Sequence, residues 1–407
     1  MLKRIQLHWQ ILIALILAVI FGIVFSDQVR HVTWLGELFL RALRMIIVPL
    51  IFSSIVTGVT GIGNAENLGR MGLKTFSYYI STSLFAILTG LLLVNIIQPG
   101  IGADLGLQQR LEGIEMGDTF GQTLLKIVPV NIIEAMVKGD MLSIIFFAML
   151  FGFFTTKVSN QYGEPIRDFF QGVFEVMMKI TMFIIKFTPL GIFGIVSGIV
   201  AQHSGEEGAL LNIFGRMGLY MLCVILALAI HATITLPIIV RVIGKAHPVK
   251  HFKNMSVPLL TAFSTSSSNA TLPLTLEAVE KRSGVSNKTT GFVLPLGATI
   301  NMDGTALYEC IAALFIAQAY GIELSVLQQL IVVITALLAS IGAAGIPMAG
   351  LVIITIILSA VGLPLEGVGL ILAVDRILDM FRTTVNVWSD SCGAVVIAKS
   401  EGEELKV

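Results

Sequence analysis

Two segments in the last third of the chain carry most of its candidate chemistry. Gly297-Ala298-Thr299-Ile300-Asn301-Met302-Asp303-Gly304-Thr305-Ala306-Leu307-Tyr308-Glu309 sets two carboxylates and an amide into an otherwise apolar run. Asp303 and Glu309 are six residues apart, so on a regular helix they lie on different turns and off a common face, which argues against a paired-carboxylate catalytic dyad. A helix broken near Gly304 frees backbone carbonyls to join Asn301 and Asp303, and an all-oxygen ligand set suits a small hard cation such as Na⁺. In the second segment Asp375, Asp379, Arg382, Thr383, Asn386 and Asp390 recur at helical steps and form one polar stripe. An arginine grips a carboxylate through two parallel hydrogen bonds, and an aspartate one turn away accepts from an ammonium group. Arg382 and Asp379 therefore describe a pocket for an acidic amino acid, with internal pairing of Asp379 to Arg382 or Arg376 as the purely structural alternative. Burial of Glu309 favours its neutral form and makes it a candidate proton carrier, unless it pairs with Arg376 or another buried cation.

The elements that position these groups must lie in a membrane. Of 407 residues, 55% are hydrophobic before 39 glycines are added, and 13% are charged; soluble domains are about 45–50% apolar with glycine included. Basic and acidic residues balance at 26 each, which removes the charge excess a nucleic-acid partner needs. Charge-free stretches at 5–26, 45–65, 75–103, 141–156, 187–204 and 217–240 are six candidate crossings. Lys3 and Arg4, Arg70 and Lys74, and the cluster Arg241, Lys245, Lys250 and Lys253 then fall on one side, the cytoplasm.

Two further apolar stretches are interrupted. Residues 254–276 carry Ser264-Thr265-Ser266-Ser267-Ser268-Asn269-Ala270-Thr271 at their centre and basic residues on both flanks, as in a hairpin that enters and leaves on the cytoplasmic side. Residues 324–365 break at Ala339-Ser340-Ile341-Gly342-Ala343-Ala344-Gly345-Ile346-Pro347-Met348-Ala349-Gly350, as in a second hairpin entering from outside, with two short full crossings as the alternative. Non-helical backbone at that depth must be buried in protein or line a cavity. Two interrupted hydrophobic segments in corresponding positions point to a transporter built from inverted repeats, with its site at the hairpin tips.

Other polar groups signal less. Tyr78, Tyr79, Ser81, Thr82 and Ser83 lie in the third span, and His231 in the sixth reads as a packed residue. Cys223, Cys310 and Cys392 have neither disulfide nor zinc spacing. Gly-x-Ser-x-Gly, HExxH and Walker A patterns are absent, so no enzyme is indicated and no cofactor is expected.

Ser266-Ser267-Ser268-Asn269-Ala270-Thr271-Leu272-Pro273, Asn301-Met302-Asp303-Gly304-Thr305, Ala344-Gly345-Ile346-Pro347 and Asp379-Met380-Phe381-Arg382-Thr383-Thr384-Val385-Asn386 together resemble the dicarboxylate/amino acid:cation symporter family, which contains archaeal aspartate transporters and animal excitatory amino acid transporters. The resemblance implies an all-α polytopic membrane protein with eight transmembrane helices, two opposed re-entrant hairpins, a homotrimer and an elevator motion. Residues 1–74 (spans 1 and 2) and 104–204 (spans 4 and 5) would form the scaffold. Span 3 (75–103), span 6 (205–250), hairpin 1 (251–288), span 7 (289–322), hairpin 2 (323–365) and span 8 with the tail (366–407) would move. Both termini would be cytoplasmic, in the cell membrane.

For L-glutamate or L-aspartate the resemblance implies Ser268, Thr305, Asp379, Arg382, Thr383 and Asn386, with backbone from Ile346 and Gly350. For Na⁺ it implies one set of Gly297, Asn301, Asn386 and Asp390, a second of Thr299, Met302, Ser340, Ile341 and Ala343, and a third of Tyr79, Thr82, Ser83, Asn301 and Asp303. Ser266 stands where the archaeal members carry an arginine, and Arg376 could supply that charge from the last span. Glu309 stands where the archaeal members have glutamine and the proton-coupled animal members glutamate, so H⁺ joins Na⁺ as an expected coupled ion. A C4-dicarboxylate symporter on the same fold would have no use for Asp379, and an anion channel would not accumulate its solute.

Overall fold

In the computed structural model, described over residues 7–63, 69–103, 128–203, 209–342 and 349–407, the regular structure is helical throughout. Ala343 and Ile346 lie outside the described residues, as does the Ala344–Pro347 motif. The helices are α1 (Leu7–Val24), α2 (Thr33–Gly63), α3 (Gly69–Ile97), α4 (Ile132–Lys138), α5 (Met141–Thr155), α6 (Asn160–Ile185), α7 (Thr188–His203), α8 (Ala209–Ile230), α9 (Leu236–Val242), α10 (Pro248–Asn254), α11 (Ser256–Thr265), α12 (Ser268–Glu277), α13 (Asn287–Ile300), α14 (Asp303–Ala319), α15 (Val326–Gly342), α16 (Ala349–Ala360) and α17 (Val368–Ser400).

Four helical stretches among these residues are long and apolar enough to cross a bilayer: Thr33–Thr60, Arg70–Ile97, Gly215–Val242 and Asn287–Ala319. The pair Asn160–Ile185 and Thr188–Ala201, bent by 52°, is a fifth if taken as one span. Trp9–Val24, Ser143–Thr155 and Val326–Ser340 are apolar but shorter. Counting charge-free residues starts α2 too late, because Arg41 and Arg44 ride on its exposed side, and it misses α6 altogether. That helix carries Glu164, Arg167, Asp168, Glu175 and Lys179, and its buried residues are Gly163, Thr181, Ile184 and Ile185. An amphipathic helix has no charge-free run to count.

At the centre lies α14, where every residue except Gln318 is buried. It packs against α3, α8, α15, α16 and α17. Elsewhere α2 packs on α5, α6 and α7, and α1 runs along α7. The α11 and α12 helices fold back on one another across Ser266 and Ser267. Ser266 takes a left-handed conformation with φ 50°, and the Ser267 hydroxyl caps α12 by accepting from Ala270 N at 3.2 Å.

The break between α13 and α14 falls at Asn301 and Met302, earlier than the expected position near Gly304. Gly304 is helical, and its lack of a side chain serves close approach: a Cβ there would lie 2.6 Å from the Arg382 carbonyl of α17. The segment after α17 ties the elements together. The Glu403 carboxylate accepts from Ser286 N at 2.7 Å and from the Ser286 hydroxyl at 2.6 Å, capping α13, and Lys406 N donates to Ser283 O at 3.0 Å.

Candidate functional site

Where α13 gives way to α14, the broken helix presents Asp303 to three other helical segments. Its Oδ1 accepts from the Ser83 hydroxyl at 2.6 Å and the Thr82 hydroxyl at 3.3 Å, both on α3. Its Oδ2 accepts from the Ser389 hydroxyl of α17 at 2.6 Å and lies 3.1 Å from His231 Nε2, in the π-helical turn His231–Thr235 between α8 and α9. Asp303 and His231 are both fully buried. Among the described residues no arginine or lysine is paired with this carboxylate; its partners there are rotatable hydroxyls and one imidazole. Such hydroxyls can turn their lone pairs toward a cation when one arrives.

Asn301 joins this box to a second carboxylate. Its Nδ2 donates to Ser389 Oγ at 3.0 Å and to Asp390 Oδ1 at 2.9 Å, while its own Oδ1 is buried without a partner. Gly297 lies so near that a Cβ would meet Asp390 Oδ1 at 2.5 Å and the Tyr79 hydroxyl at 2.6 Å. Asn386 Oδ1 accepts from Gly304 N at 2.8 Å, satisfying one of the open amides of the first turn of α14, and its Nδ2 donates to Thr305 Oγ1 at 3.2 Å. The structure thus gathers Thr82, Ser83, Asn301 and Asp303, and next to them Gly297, Asp390, Asn386 and Thr305. Tyr79 lies alongside but donates to Val293 O at 2.8 Å. The remaining cation set is less assembled. Thr299 donates to Leu296 O and Ser340 to Leu337 O, each at 2.8 Å and each back into its own helix. Met302 is the half-buried residue preceding α14, and Ile341 lies in the last turn of α15.

A different cluster surrounds Arg382, which is 1% exposed. Its Nη2 donates to Asp375 Oδ1 at 2.9 Å and Asp379 Oδ1 at 3.0 Å. The guanidinium carbon sits 3.9 Å from the centre of the Tyr308 ring, a cation–π contact. Nη1 is 4.0 Å from Glu309 Oε1, beyond hydrogen-bond range, and both Nε and Nη1 are buried without an acceptor. Both oxygens of Glu309 are likewise buried without a donor. Arg376 faces Asp379 Oδ2 at 3.6 Å, so the charge near Glu309 is Arg382. Gly350, at the start of α16, abuts the guanidinium, and any Cβ there would collide with Nη1. Thr383 is buried beside these groups on α17, and Ser268 is half-buried in the first turn of α12 at the turn between the two short helices.

His231 and Ser389 are the members of the Asp303 box that spacing does not reveal. The signal for His231 was a lone imidazole inside an apolar span, and for Ser389 its place one residue before Asp390 on the polar stripe. A cavity of about 650 Å³ lies elsewhere, at the ends of α3 and α14 between Asn95, Gln98, Gln318, Glu323 and Gln329, and none of the groups above lines it. Among the described residues no three His, Cys, Asp or Glu side chains converge as a transition-metal site needs.

A profile of the sodium:dicarboxylate symporter family matches residues 7–400. The chain is 37% identical to the proton/sodium-glutamate symport protein of Geobacillus stearothermophilus, covering 99% of this chain and 96% of that one. It is 35% identical to the proton/glutamate-aspartate symporter of Escherichia coli K12, over 98% and 93% respectively. With excitatory amino acid transporter 3 of Mus musculus it shares 36% identity over 98% of this chain and 87% of that protein.

Proposed function

The chain belongs to the sodium:dicarboxylate symporter family, and from that premise we propose that it imports glutamate or aspartate across the cell membrane together with Na⁺ and a proton. The observation that carries the substrate is the guanidinium of Arg382, held on one side by Asp375 and Asp379 and open at Nε and Nη1. A buried cation with unfilled donors is costly, and the side-chain carboxylate of an acidic amino acid fills that edge. Asp379, held by Arg382 and faced by Arg376, offers the carboxylate that reads the ammonium group.

The Asp303 box and the neighbouring Asn301, Gly297 and Asp390 are the cation sites, with Asn301 Oδ1 as the ready ligand. Thr299, Met302, Ser340, Ile341 and Ala343 make up a further one, and Ser268, Thr383 and backbone at Ile346 and Gly350 complete the substrate pocket. Around Arg382 two arginines face three carboxylates, Asp375, Asp379 and Glu309, so a proton on Glu309 brings the cluster to neutrality. The name of the Geobacillus stearothermophilus relative, a proton/sodium-glutamate symport protein, supports both ions.

The protein works as a homotrimer with both termini cytoplasmic. Eight spans and two opposed hairpins divide into a scaffold, residues 1–74 and 104–204, and a sliding transport unit, residues 75–103 and 205–407. Packing of α2 on α5, α6 and α7, and of α14 on α3, α8 and α17, supports this division.

Radiolabelled uptake into proteoliposomes, with Na⁺, H⁺ and K⁺ gradients imposed one at a time, tests the reading. Glutamate or aspartate accumulates above its outside concentration under an inward Na⁺ gradient, and an inward proton gradient speeds it. Failure to accumulate under any gradient overturns the carrier. Succinate and malate lack the ammonium group and compete poorly; competition by succinate equal to that of aspartate moves the protein to a C4-dicarboxylate symporter.

A further inference from the structure

We infer that His231 is a positioning residue for cation coupling: its Nε2–H holds Asp303 Oδ2 and so fixes the carboxylate that receives Na⁺. This rests on the reading of the Asp303 box as a cation site. The geometry leaves the imidazole one role. Nε2 is 3.1 Å from Asp303 Oδ2, and a carboxylate oxygen only accepts, so Nε2 carries the proton. Nδ1 is buried without a partner, so the ring makes no second bond to compete with the first.

The backbone is built to put the ring there. Pro237 has no N–H, which leaves a carbonyl one turn earlier without its helix partner. The chain widens into the π-helical turn His231–Thr235, and Ala232 O accepts from the Trp388 indole of α17 at 3.0 Å. The turn is thereby pinned to α17, the helix whose Ser389 binds the same oxygen of Asp303 at 2.6 Å. π-Turns of this kind gather at functional sites. Oδ2 is held by the imidazole N–H, which cannot turn away, whereas Oδ1 is held only by the Thr82 and Ser83 hydroxyls, which can turn their lone pairs to a cation, so Oδ1 is the atom open to it. Outer partners that orient a metal-binding carboxylate set affinity through that orientation.

The test compares three variants in the full-length protein by the Na⁺ concentration that half-saturates glutamate uptake, and by the thermal stabilisation that Na⁺ gives without substrate. His231→Leu removes the donor. His231→Asn carries an amide too short to reach Asp303, and His231→Gln places an amide N–H near the Nε2 position. Leu and Asn are expected to raise the Na⁺ half-saturation about 10- to 100-fold, leaving the glutamate KM at saturating Na⁺ unchanged. Gln restores Na⁺ dependence to within about threefold of wild type, a shift under 1 kcal/mol. If Leu does not fold, the contrast of Asn with Gln decides. Na⁺ half-saturation near wild type in Leu or Asn, or a Gln variant as impaired as Asn, overturns the inference. A wild-type protein indifferent to Na⁺ overturns the cation-site reading beneath it, so the two failures are distinct.

Discussion

Asp303 and Glu309 stand six residues apart on one helix, both fully buried, yet their surroundings are finished in opposite ways. Asp303 is close to saturation, with four polar groups from three other helical segments on its two oxygens and no fixed cation beside it. Among the described residues Glu309 has no hydrogen-bond donor, and its nearest charge, Arg382, is itself short of acceptors. On the proposed reading, hydroxyls and an imidazole gathered around a carboxylate make a cage suited to a cation. Unsatisfied donors and acceptors facing each other across 4.0 Å, on the same reading, suit a proton and an anion. The pair teaches that burial alone does not separate the roles of two acids; the chemistry of their partners does.

Substitutions should therefore split the two clusters cleanly. The largest effect is expected from Arg382→Cys, which removes the fully buried guanidinium with a free edge and leaves Asp375 and Asp379 without their shared partner. Glutamate and aspartate binding should fall by about a thousandfold, the order expected for losing one member of a buried, hydrogen-bonded charge pair, while Na⁺ alone still stabilises the protein against heat. Micromolar binding of both acids to this variant breaks the assignment.

Asp303→Asn comes next. It keeps the shape of the cage and removes the charge that receives Na⁺, so the Na⁺ half-saturation of uptake should rise by at least about 100-fold, the most that losing an outer partner costs. An unchanged Na⁺ dependence in isotope uptake returns Asp303 to a purely structural role.

Glu309→Gln is expected to act more narrowly. At saturating Na⁺, uptake should change by about threefold or less, under 1 kcal/mol, but it should no longer respond to an imposed proton gradient. A variant that responds as wild type does shows that the proton travels elsewhere.

The smallest effect belongs to a carboxylate outside both clusters. Glu401 accepts from Lys74 at 2.6 Å and Arg70 at 3.0 Å, and hydrogen bonds from Arg70 and Lys74 bring its pKa down to about 2. A lowered folded-state pKa gives stability that is complete above the ordinary glutamate value of about 4.3 and is lost as pH falls toward the folded value. The melting-temperature gap between wild type and Glu401→Gln should accordingly be small and flat around neutrality, shrinking only in acid. A gap that widens as pH falls contradicts the pairing.

Much of this was legible in the order of residues. Four ordered motifs identified the family, charge-free stretches placed most long helices, and three- to four-residue spacing put Asp379, Arg382, Asn386 and Asp390 on one stripe. The seryl run of 264–268 announced the turn between α11 and α12. Spacing describes one helix's own face, so it could say that Asp303 and Glu309 point differently without saying toward what. It located the helix break only to within two or three residues, because a glycine that permits close packing and a glycine that ends a helix look alike in a sequence.

What only the tertiary structure decided are the partners. His231 and Ser389 lie 72 and 86 residues from Asp303, and they meet it because α14 is surrounded by α3, α8 and α17 and because a π-turn rotates the imidazole inward. Arg382 chooses Asp375 and Asp379 over Glu309, a choice of ångströms that no periodicity encodes. Hydropathy and local spacing fix where a helix lies and which side is polar, since those follow from the chain's own geometry. Which polar groups are satisfied, and which remain open for a ligand, follows from how several helices pack at once.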